Sequence, residues 1–534
     1  MIQISQMSIF KLKYLPHTAL VLISIGLYFP SLFNDFVYDD IAIIINDPYI
    51  HDPYNMRDIV TLKILKRDMM DQNRPVYVLS TMIDSIFWGK KPFGYHLTNV
   101  LLNGFVVLLL FIFTKKYIQN IFSSKAGTLI QEKKSYTGIS VFSAVLLFVL
   151  HPINAETVSC VTYREDILVN LFILCSLLCT DLFNSDKKVF RAAGAFLTVT
   201  CSVLAFGAKE SGYITPVLLF IYWYFTKNKK QAVVWLITIG TSAVFLILYI
   251  HLVRMFSFKG ESMVFWATPS YVGGSFQKAL LYIPTILVFQ FSHFVLPINL
   301  SADYTAYSLH HFPPAVAIPI VLLIVTGAIW YSIKNKNVRF IFCLIILTIL
   351  PISNIIPLFQ PVADRFLYTP MIGIIILLSI MFTRYLNANR LPVFTVITAS
   401  VFLILGYLTV KREIVWKNEM NLWTDTISNE KYSSAAARYL GVLYTEKGAY
   451  DLALKYLSRA SFLEHDRSAE IFADMAVLFE KKGDEYLADS SYIYALNRNQ
   501  RFSDMAKIEK TLRFSKNQIE ILDRISKRVL PESR

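Results

Sequence analysis

Apolar runs of 15 to 23 residues recur along the first 410 residues of the chain, separated by short polar segments rich in lysine. Runs of this length reach across a bilayer core as helices. Eleven are read as spanning: 15–33, 97–114, 138–152, 166–184, 192–208, 212–226, 231–253, 314–333, 338–356, 366–384 and 392–410. Lys11 and Lys13 place the N-terminus on the cytoplasmic side. Alternation then puts Lys115 and Lys116, Lys133 and Lys134, Lys187 and Lys188, Lys229 and Lys230, and Lys334 and Lys336 on that same side. The segments 34–96, 153–165, 254–313 and everything after 410 fall outside. One apolar segment, 278–297, strains the pattern, because a span there would carry the lysines at 334–336 to the outer side. It is expected to be a re-entrant or interfacial helix, with irregular backbone tolerated where it lines a protein cavity.

Two soluble regions follow from a change in pattern. In the outer loop 34–96, Asn55–Lys66 and Pro75–Phe87 carry apolar residues at helical spacing and are predicted to lie along the membrane face. After residue 410 the chain turns polar, charged and helix-forming. Leu440, Gly441, Tyr444, Gly448, Ala453 and Ala460 find counterparts about 35 residues later in Ala476, Phe479, Gly483, Ala488 and Ala495. Glycine at a turn and alanine where two helices cross make the tetratricopeptide pattern, here without its tryptophan and final proline. Two repeats, 434–467 and 469–502, bury little on their own. The helices near 413–430, with Trp416 and Trp423, and near 503–528 are expected to cap them. The predicted fold is all-α: a polytopic membrane helix bundle over 1–412 and a C-terminal soluble tetratricopeptide-repeat helical domain over 413–534.

Composition narrows the class further. A 55% hydrophobic, 17% charged chain is a membrane protein rather than a soluble one. The net charge of +14 is carried by lysines at helix ends, so no nucleic-acid partner is expected. The five cysteines sit mostly inside apolar segments and form no CxxC or Cys/His cluster, which reads as packing rather than a disulfide framework or zinc site. The first apolar run is too long for a signal-peptide core and is taken as an uncleaved helix. Neither a phosphate-binding P-loop nor a dinucleotide-binding glycine fingerprint occurs, so no nucleotide is expected.

Ionisable residues gather at the outer helix ends. The first loop supplies Asp35, Asp39, Asp40, Arg74 and His96, and the second His151, Glu156, Arg164, Glu165 and Asp166. Lys209 and Glu210 come from the third, and Asp303, Tyr304, Asp364, Arg365 and Tyr368 from the later ones. Charge at a bundle edge is costly unless paired or functional, and its concentration on one face points to a cavity there. Arg164, Lys209 and Arg365 suit a phosphate at headgroup depth. The adjacent acids Asp39 and Asp40 suit a general base. A sugar on a lipid phosphate satisfies both sets. The second class considered, a transporter or flippase with a scaffolding tail, calls for inverted repeats and midplane polar residues, which the chain lacks.

Six segments carry a family resemblance: Tyr38-Asp39-Asp40; Asn73 to Ser80; Gly94 to Leu102; His151 to Val158 followed by Arg164-Glu165-Asp166; Ala208 to Ser211; and Ala363 to Pro370. In their order, and with the repeat tail, they resemble the transmembrane and tetratricopeptide-repeat O-mannosyltransferases, in the C superfamily of lipid-sugar-dependent glycosyltransferases. The resemblance implies a polyprenyl- or dolichyl-phosphate sugar as donor and a protein hydroxyl acceptor, held by the repeats, on the outer or lumenal side. No cofactor is expected beyond the lipid-linked sugar substrate; a divalent metal is possible but not indicated, since one acid pair stands without further clustered ligands. Asp39 or Asp40, with Asp40 slightly favoured, maps to the catalytic acid of the first outer loop. Lys209 and Arg365, joined by Arg164 and Tyr368, map to the donor phosphate. Glu156, His151, Arg74, His96 and Asp166 are expected around the cavity and acceptor. The short tail points to a bacterial member, in the inner membrane with the repeats periplasmic; a eukaryotic one would sit in the endoplasmic reticulum with them lumenal. The same chemistry on a glycan or lipid acceptor is the alternative.

Overall fold

A computed structural model describes residues 2–67, 69, 71–123, 128–226, 231–257, 275–356, 358, 360–465, 467–505, 508 and 514–530. Lys229 and Lys230 lie outside the described residues, as do the side chains of Lys11, Lys13, Lys133 and Lys134. Among the described residues all regular structure is helical. The membrane part comprises α1 (Ile2–Tyr28), α2 (Pro75–Trp88) in the first loop, α3 (Pro92–Ser123), α4 (Thr128–Leu150), α5 (Arg164–Cys179), α6 (Lys188–Ala208) and α7 (Thr215–Thr226). It continues with α8 (Ala232–Ser257), α9 (Phe276–Val295), α10 (Pro314–Lys334), α11 (Arg339–Ile349), α12 (Tyr368–Tyr385) and α13 (Leu391–Val415).

Proline sets several of these boundaries. Pro75, Pro92 and Pro314 each occupy the first helical position, where the missing N–H costs nothing. Pro152 forces His151 into extended backbone (φ −80°, ψ 122°), which stops α4 at Leu150 and bends the chain by 50° into Pro152–Ser159.

Nine helical segments among the described residues are long and apolar enough to cross a membrane, or ten with the bent pair Tyr136–Leu150 and Pro152–Ser159 taken as one. The expected spans 212–226 and 338–356 are shorter helices of 12 and 11 residues, extended by 3₁₀ turns at Glu210–Ile214 and Leu350–Ile352. The expected re-entrant segment 278–297 is one continuous helix, α9, that passes the same length test.

Contacts sort the helix ends onto two faces. One face joins Tyr117 to the Asn337 carbonyl (3.0 Å), Lys116 to Asp181, and Arg384 to Tyr331 (2.7 Å) and Asn335 (2.9 Å). The opposite face gathers the end of α1, the starts of α3, α5, α7 and α12, and the ends of α4, α6 and α13. The ends of α8 and α9 both reach this second face, through Tyr249 to the Asn73 carbonyl (2.6 Å) and His151 to the Phe294 carbonyl (2.9 Å). The helix that breaks the alternation is therefore α9. Bundle depth follows burial: the α12 span is 67% buried, whereas the α10 span is 6% buried, an apolar surface suited to lipid.

The tail continues from α13 without a linker into α14 (Glu419–Asn429). Two antiparallel hairpins follow, α15 (Ser434–Glu446) with α16 (Tyr450–Leu463) and α17 (Ala469–Lys482) with α18 (Glu485–Arg498), and then α19 (Lys516–Val529). Of the repeat positions, Leu440, Gly441, Ala453, Ala460, Ala476, Ala488 and Ala495 are buried at the crossings, while Gly448 and Gly483 stand exposed at the turns. A Cβ on Gly441 would lie 2.6 Å from Leu457 Cγ and 3.2 Å from its backbone nitrogen. Gly441→Val is expected to cost about 1–3 kcal/mol through overpacking, read as a lower Tm of the full chain; an unchanged Tm would contradict this packing.

Candidate active site

The turn after α1 presents three consecutive residues in three directions. Tyr38 adopts left-handed backbone (φ 56°). Asp40 turns inward and is fully buried. Its carboxylate accepts the N–H groups of Thr162 (2.8 Å), Val161 (3.2 Å) and Val37 (3.4 Å), with the Cys160 thiol at 3.4 Å. It thereby caps the 3₁₀ turn Val161–Tyr163 that leads into α5. Asp39, half-buried, faces the other way and accepts the Tyr163 hydroxyl at 2.9 Å.

Tyr163 is the hinge between acid and cation. The Arg365 guanidinium lies 4.1 Å over its ring, so one side chain contacts both Asp39 and Arg365. Arg365 pairs with Glu156, donates its backbone N–H to the same carboxylate (3.0 Å), and reaches Gln360 (2.9 Å). A second chain of charges lies alongside. Arg74 bridges Asp71 (2.7 Å), Glu165 (2.5 Å) and Glu210 (2.9 Å); Lys209 bridges Glu165 (2.7 Å) and Asp166 (2.7 Å). The two chains meet, since Asp39 is within electrostatic reach of Asp71 and Arg365, and Arg365 of Lys209. Lys209 is placed by the end of α6: it leaves the helix in extended backbone (φ −166°), and the chain folds back at Gly212, where a Cβ would sit 2.2 Å from the Ala205 carbonyl oxygen.

Burial and pairing compete at each group. Burial pushes Asp40 up to about 6, against the Thr162 and Val161 amides that hold it down. Burial likewise pushes Asp71 up to about 6, with Arg74 opposing. Burial alone would lower Lys209, but Asp166 and Glu165 together hold it above its ordinary value. Glu210 goes the other way: burial raises it, and Arg74 outweighs burial and lowers it.

Of the eleven residues that the resemblance assigns to the site, Asp39, Asp166, Arg74, Glu156, Lys209 and Arg365 come together here, with Asp40 behind them as an anchor. Four stand elsewhere. Arg164, fully buried, is spent on Asp84 (2.5 Å), Asn99 (2.6 Å), the Tyr95 carbonyl (2.8 Å) and the Ser80 carbonyl (3.1 Å). It is a strut joining the first loop and α3 to α5, with no surface left for a phosphate. Tyr368 is fully buried, donates to Asn103 (2.7 Å) and packs on Phe148. His151 spends one ring nitrogen on the Phe294 carbonyl and the other on the Ile153 N–H (3.3 Å). His96 is buried with its ring stacked on Phe36. Asp71 and Tyr163 belong to the site and escaped the sequence reading; their signals were the three-residue spacing from Asp71 to Arg74 and the place of Tyr163 beside Arg164-Glu165-Asp166. No group of three or more His, Cys, Asp or Glu among the described residues is arranged to hold a metal ion.

Comparison with known proteins agrees with the motif order. The chain is 24% identical to the Caenorhabditis elegans protein O-mannosyl-transferase F38B6.6 over 436 residues, 77% of this chain and 57% of that one. It is 23% identical to mouse protein O-mannosyl-transferase TMTC3 over 532 residues, 90% of this chain and 54% of the relative. Over most of its length the chain is similar to proteins named protein O-mannosyl-transferases. A shorter stretch of 221 residues, 39% of this chain and 24% of the relative, is 30% identical to human TMTC2. The chain spans about half the length of the first two of these relatives. No family model matches it, and no solved structure matches it significantly.

Two outcomes test this geometry. Arg164→Ala is expected to cost about 3–5 kcal/mol by stranding Asp84 in the core, so it should lower Tm and the yield of folded protein; an Arg164→Ala protein of wild-type Tm would remove the strut. A carboxyl raised above its ordinary pKa contributes stability where it is protonated, and that contribution is lost as pH climbs through the raised value. For Asp40, moved from 3.8 to about 6, the whole loss amounts to roughly 3 kcal/mol, of which about 1.4 kcal/mol falls above pH 5. Tm should therefore fall from pH 5 to pH 7.5 in the wild type and fall less in Asp40→Asn; parallel profiles would refute it.

Proposed function

We propose that the chain is an integral-membrane glycosyltransferase that moves a hexose, mannose by the names of its relatives, from a polyprenyl phosphate to a protein Ser or Thr hydroxyl on the outer or lumenal face. The observation that carries the reading is the Asp39–Tyr163–Arg365 contact, which brings a half-buried carboxylate next to the cations of the same helix-end face.

In this reading Asp39 is the base. It takes the proton of the acceptor hydroxyl as that oxygen bonds to the anomeric carbon, while the bond from that carbon to the lipid phosphate breaks. The departing phosphate gains a negative charge, and Arg365 and Lys209 answer it. Both are already paired with carboxylates, Arg365 with Glu156 and Lys209 with Glu165 and Asp166. The phosphate therefore exchanges for a carboxylate partner instead of meeting a free cation. Asp40 serves here as the residue that holds Asp39 in place, which reverses the order of preference drawn from the sequence. No nucleotide or metal is assigned a step.

The test uses the full-length protein in lipid nanodiscs with a polyprenyl-phosphomannose and a Ser/Thr peptide, read by the mass of the peptide. The peptide should gain one hexose. Asp39→Asn should lower kcat by about 10²–10⁴-fold with Tm unchanged, and Lys209→Ala should raise the donor KM by about tenfold or more. Hexose on lipid or glycan instead of peptide would transfer the reading to that acceptor class. Wild-type turnover by Asp39→Asn would sink the assignment of the base.

A further inference from the structure

The tail is not tethered to the membrane bundle at arm's length; it is packed into it beside the proposed base. One apolar cluster contains Val37 from the first loop, Ala155, Cys160 and Tyr163 from the second, Ala302, and Trp416, Leu422, Trp423, Ala436 and Leu440 from the tail, with Tyr38 and Tyr439 packed against it. The Trp423 indole stacks on Tyr439 with ring centres 4.4 Å apart and planes 11° from parallel. The Tyr38 ring meets both edge-on, at 5.1 Å from Trp423 and 6.2 Å from Tyr439. Pairs of this geometry hold a ring in orientation as well as burying it. Trp423 lies on α14 and Tyr439 on α15, the first helix of the first repeat.

Polar ties surround this contact. The Asp35 N–H donates to the Lys417 carbonyl (3.0 Å). Ser433, the N-cap of α15, accepts the Ala436 N–H (2.9 Å) and donates to Asp303 (2.6 Å). Asn429 donates to the Leu300 carbonyl (3.1 Å), Thr305 donates to Glu430 (3.0 Å), and Ser308 also donates to that carboxylate. The orientation of the first repeat is thus fixed from both the first and the late outer loops.

The backbone at Tyr38 makes the contact consequential. A left-handed conformation in a bulky residue costs of order 1–3 kcal/mol and persists only where the surroundings over-determine it. Two anchors do so: the Trp423–Tyr439 stack on the Tyr38 ring, and the Val161 and Thr162 amides on Asp40. Asp39 lies between the anchors and takes its direction from both. We propose that the first repeat is a structural part of the catalytic centre: Tyr38, clamped by Trp423 and Tyr439, is a positioning residue that aims Asp39. This rests on the reading of Asp39 as the base and adds to it the source of its alignment.

The experiment measures kcat and both KM values of the full-length protein, with polyprenyl-phosphomannose and a Ser/Thr peptide, alongside hydrogen exchange of the amides of residues 37–41. Tyr38→Ala and Tyr439→Leu should each lower kcat by roughly 100-fold, the effect of a misplaced catalytic group, with both KM values nearly unchanged and faster exchange in 37–41. Tyr38→Phe, which keeps the ring, should recover most of the loss. If the loss falls on the acceptor KM, or if Tyr38→Phe is as impaired as Tyr38→Ala, the residue acts by touching substrate and the proposal fails. Should Tyr38→Ala not fold, Tyr439→Leu decides alone. A wild-type protein that transfers no hexose would overturn the underlying function instead. Hydrogen exchange then judges the clamp separately, and unchanged exchange at 37–41 in Tyr439→Leu would overturn it.

Discussion

The seating of the Asp40 carboxylate on the Val161 and Thr162 amides is the constraint from which the rest of the site follows. It closes a loop of more than a hundred residues between the end of α1 and the start of α5, and it does so in the interior, where a mispaired carboxylate is expensive. The alternatives to this pairing leave either two amides or one acid unsatisfied. The residues flanking the bond on both segments, Asp39 on one and Tyr163 to Asp166 on the other, are therefore registered against each other within a residue. Because the 160–163 turn is in turn held by Arg164 to Ser80, Tyr95, Asp84 and Asn99, the registration extends to the first loop and to α3.

Around this anchor the charges alternate. Asp71, Arg74, Glu165, Lys209 and Asp166 follow one another through direct contacts, with Glu210 on Arg74, and Glu156 faces Arg365. In a setting of reduced dielectric each unpaired member would be heavily penalised, which favours this single arrangement over looser ones. Asp39, Asp71, Glu156, Glu165, Asp166 and Glu210 outnumber Arg74, Lys209 and Arg365, so the cluster is acidic overall. In the proposed reaction, a phosphate entering this cluster would trade places with a carboxylate partner of Arg365 or Lys209.

The tail enters the same framework. Repeat hairpins are stable through their neighbours, and here the neighbours of the first hairpin include the membrane bundle itself, through Trp423, Tyr439 and Ser433. The bundle packs on one end of the two repeats and α19 on the other, where Gln518 (3.0 Å) and Arg438 (2.6 Å) share the Asp474 carboxylate. The part of the chain that aligns spans 57% and 54% of the length of the first two relatives.

The helical bundle, the repeat register and the gathering of charge on one face were legible in the chain because each rests on local signals: runs of apolar residues, a 35-residue offset, prolines and lysines at helix ends. The odd helix at 276–295 was legible as an anomaly of charge parity, and the contacts of its end with His151 place it out of the alternation. Which charged residue does what was not legible. Arg164, Lys209 and Arg365 look alike as cations at helix ends, yet Arg164 is walled in by four partners while the other two line the cluster. Asp39 and Asp40 are adjacent and chemically identical, yet a positive φ at Tyr38 sends one inward and one toward Tyr163. Hydropathy is a property of each segment, so the sequence alone determined that a helix bundle and two repeats form, while the folded chain shortened two expected spans and made 276–295 a continuous helix. Pairing depends on which distant segments pack together, so only the tertiary structure decided the partners.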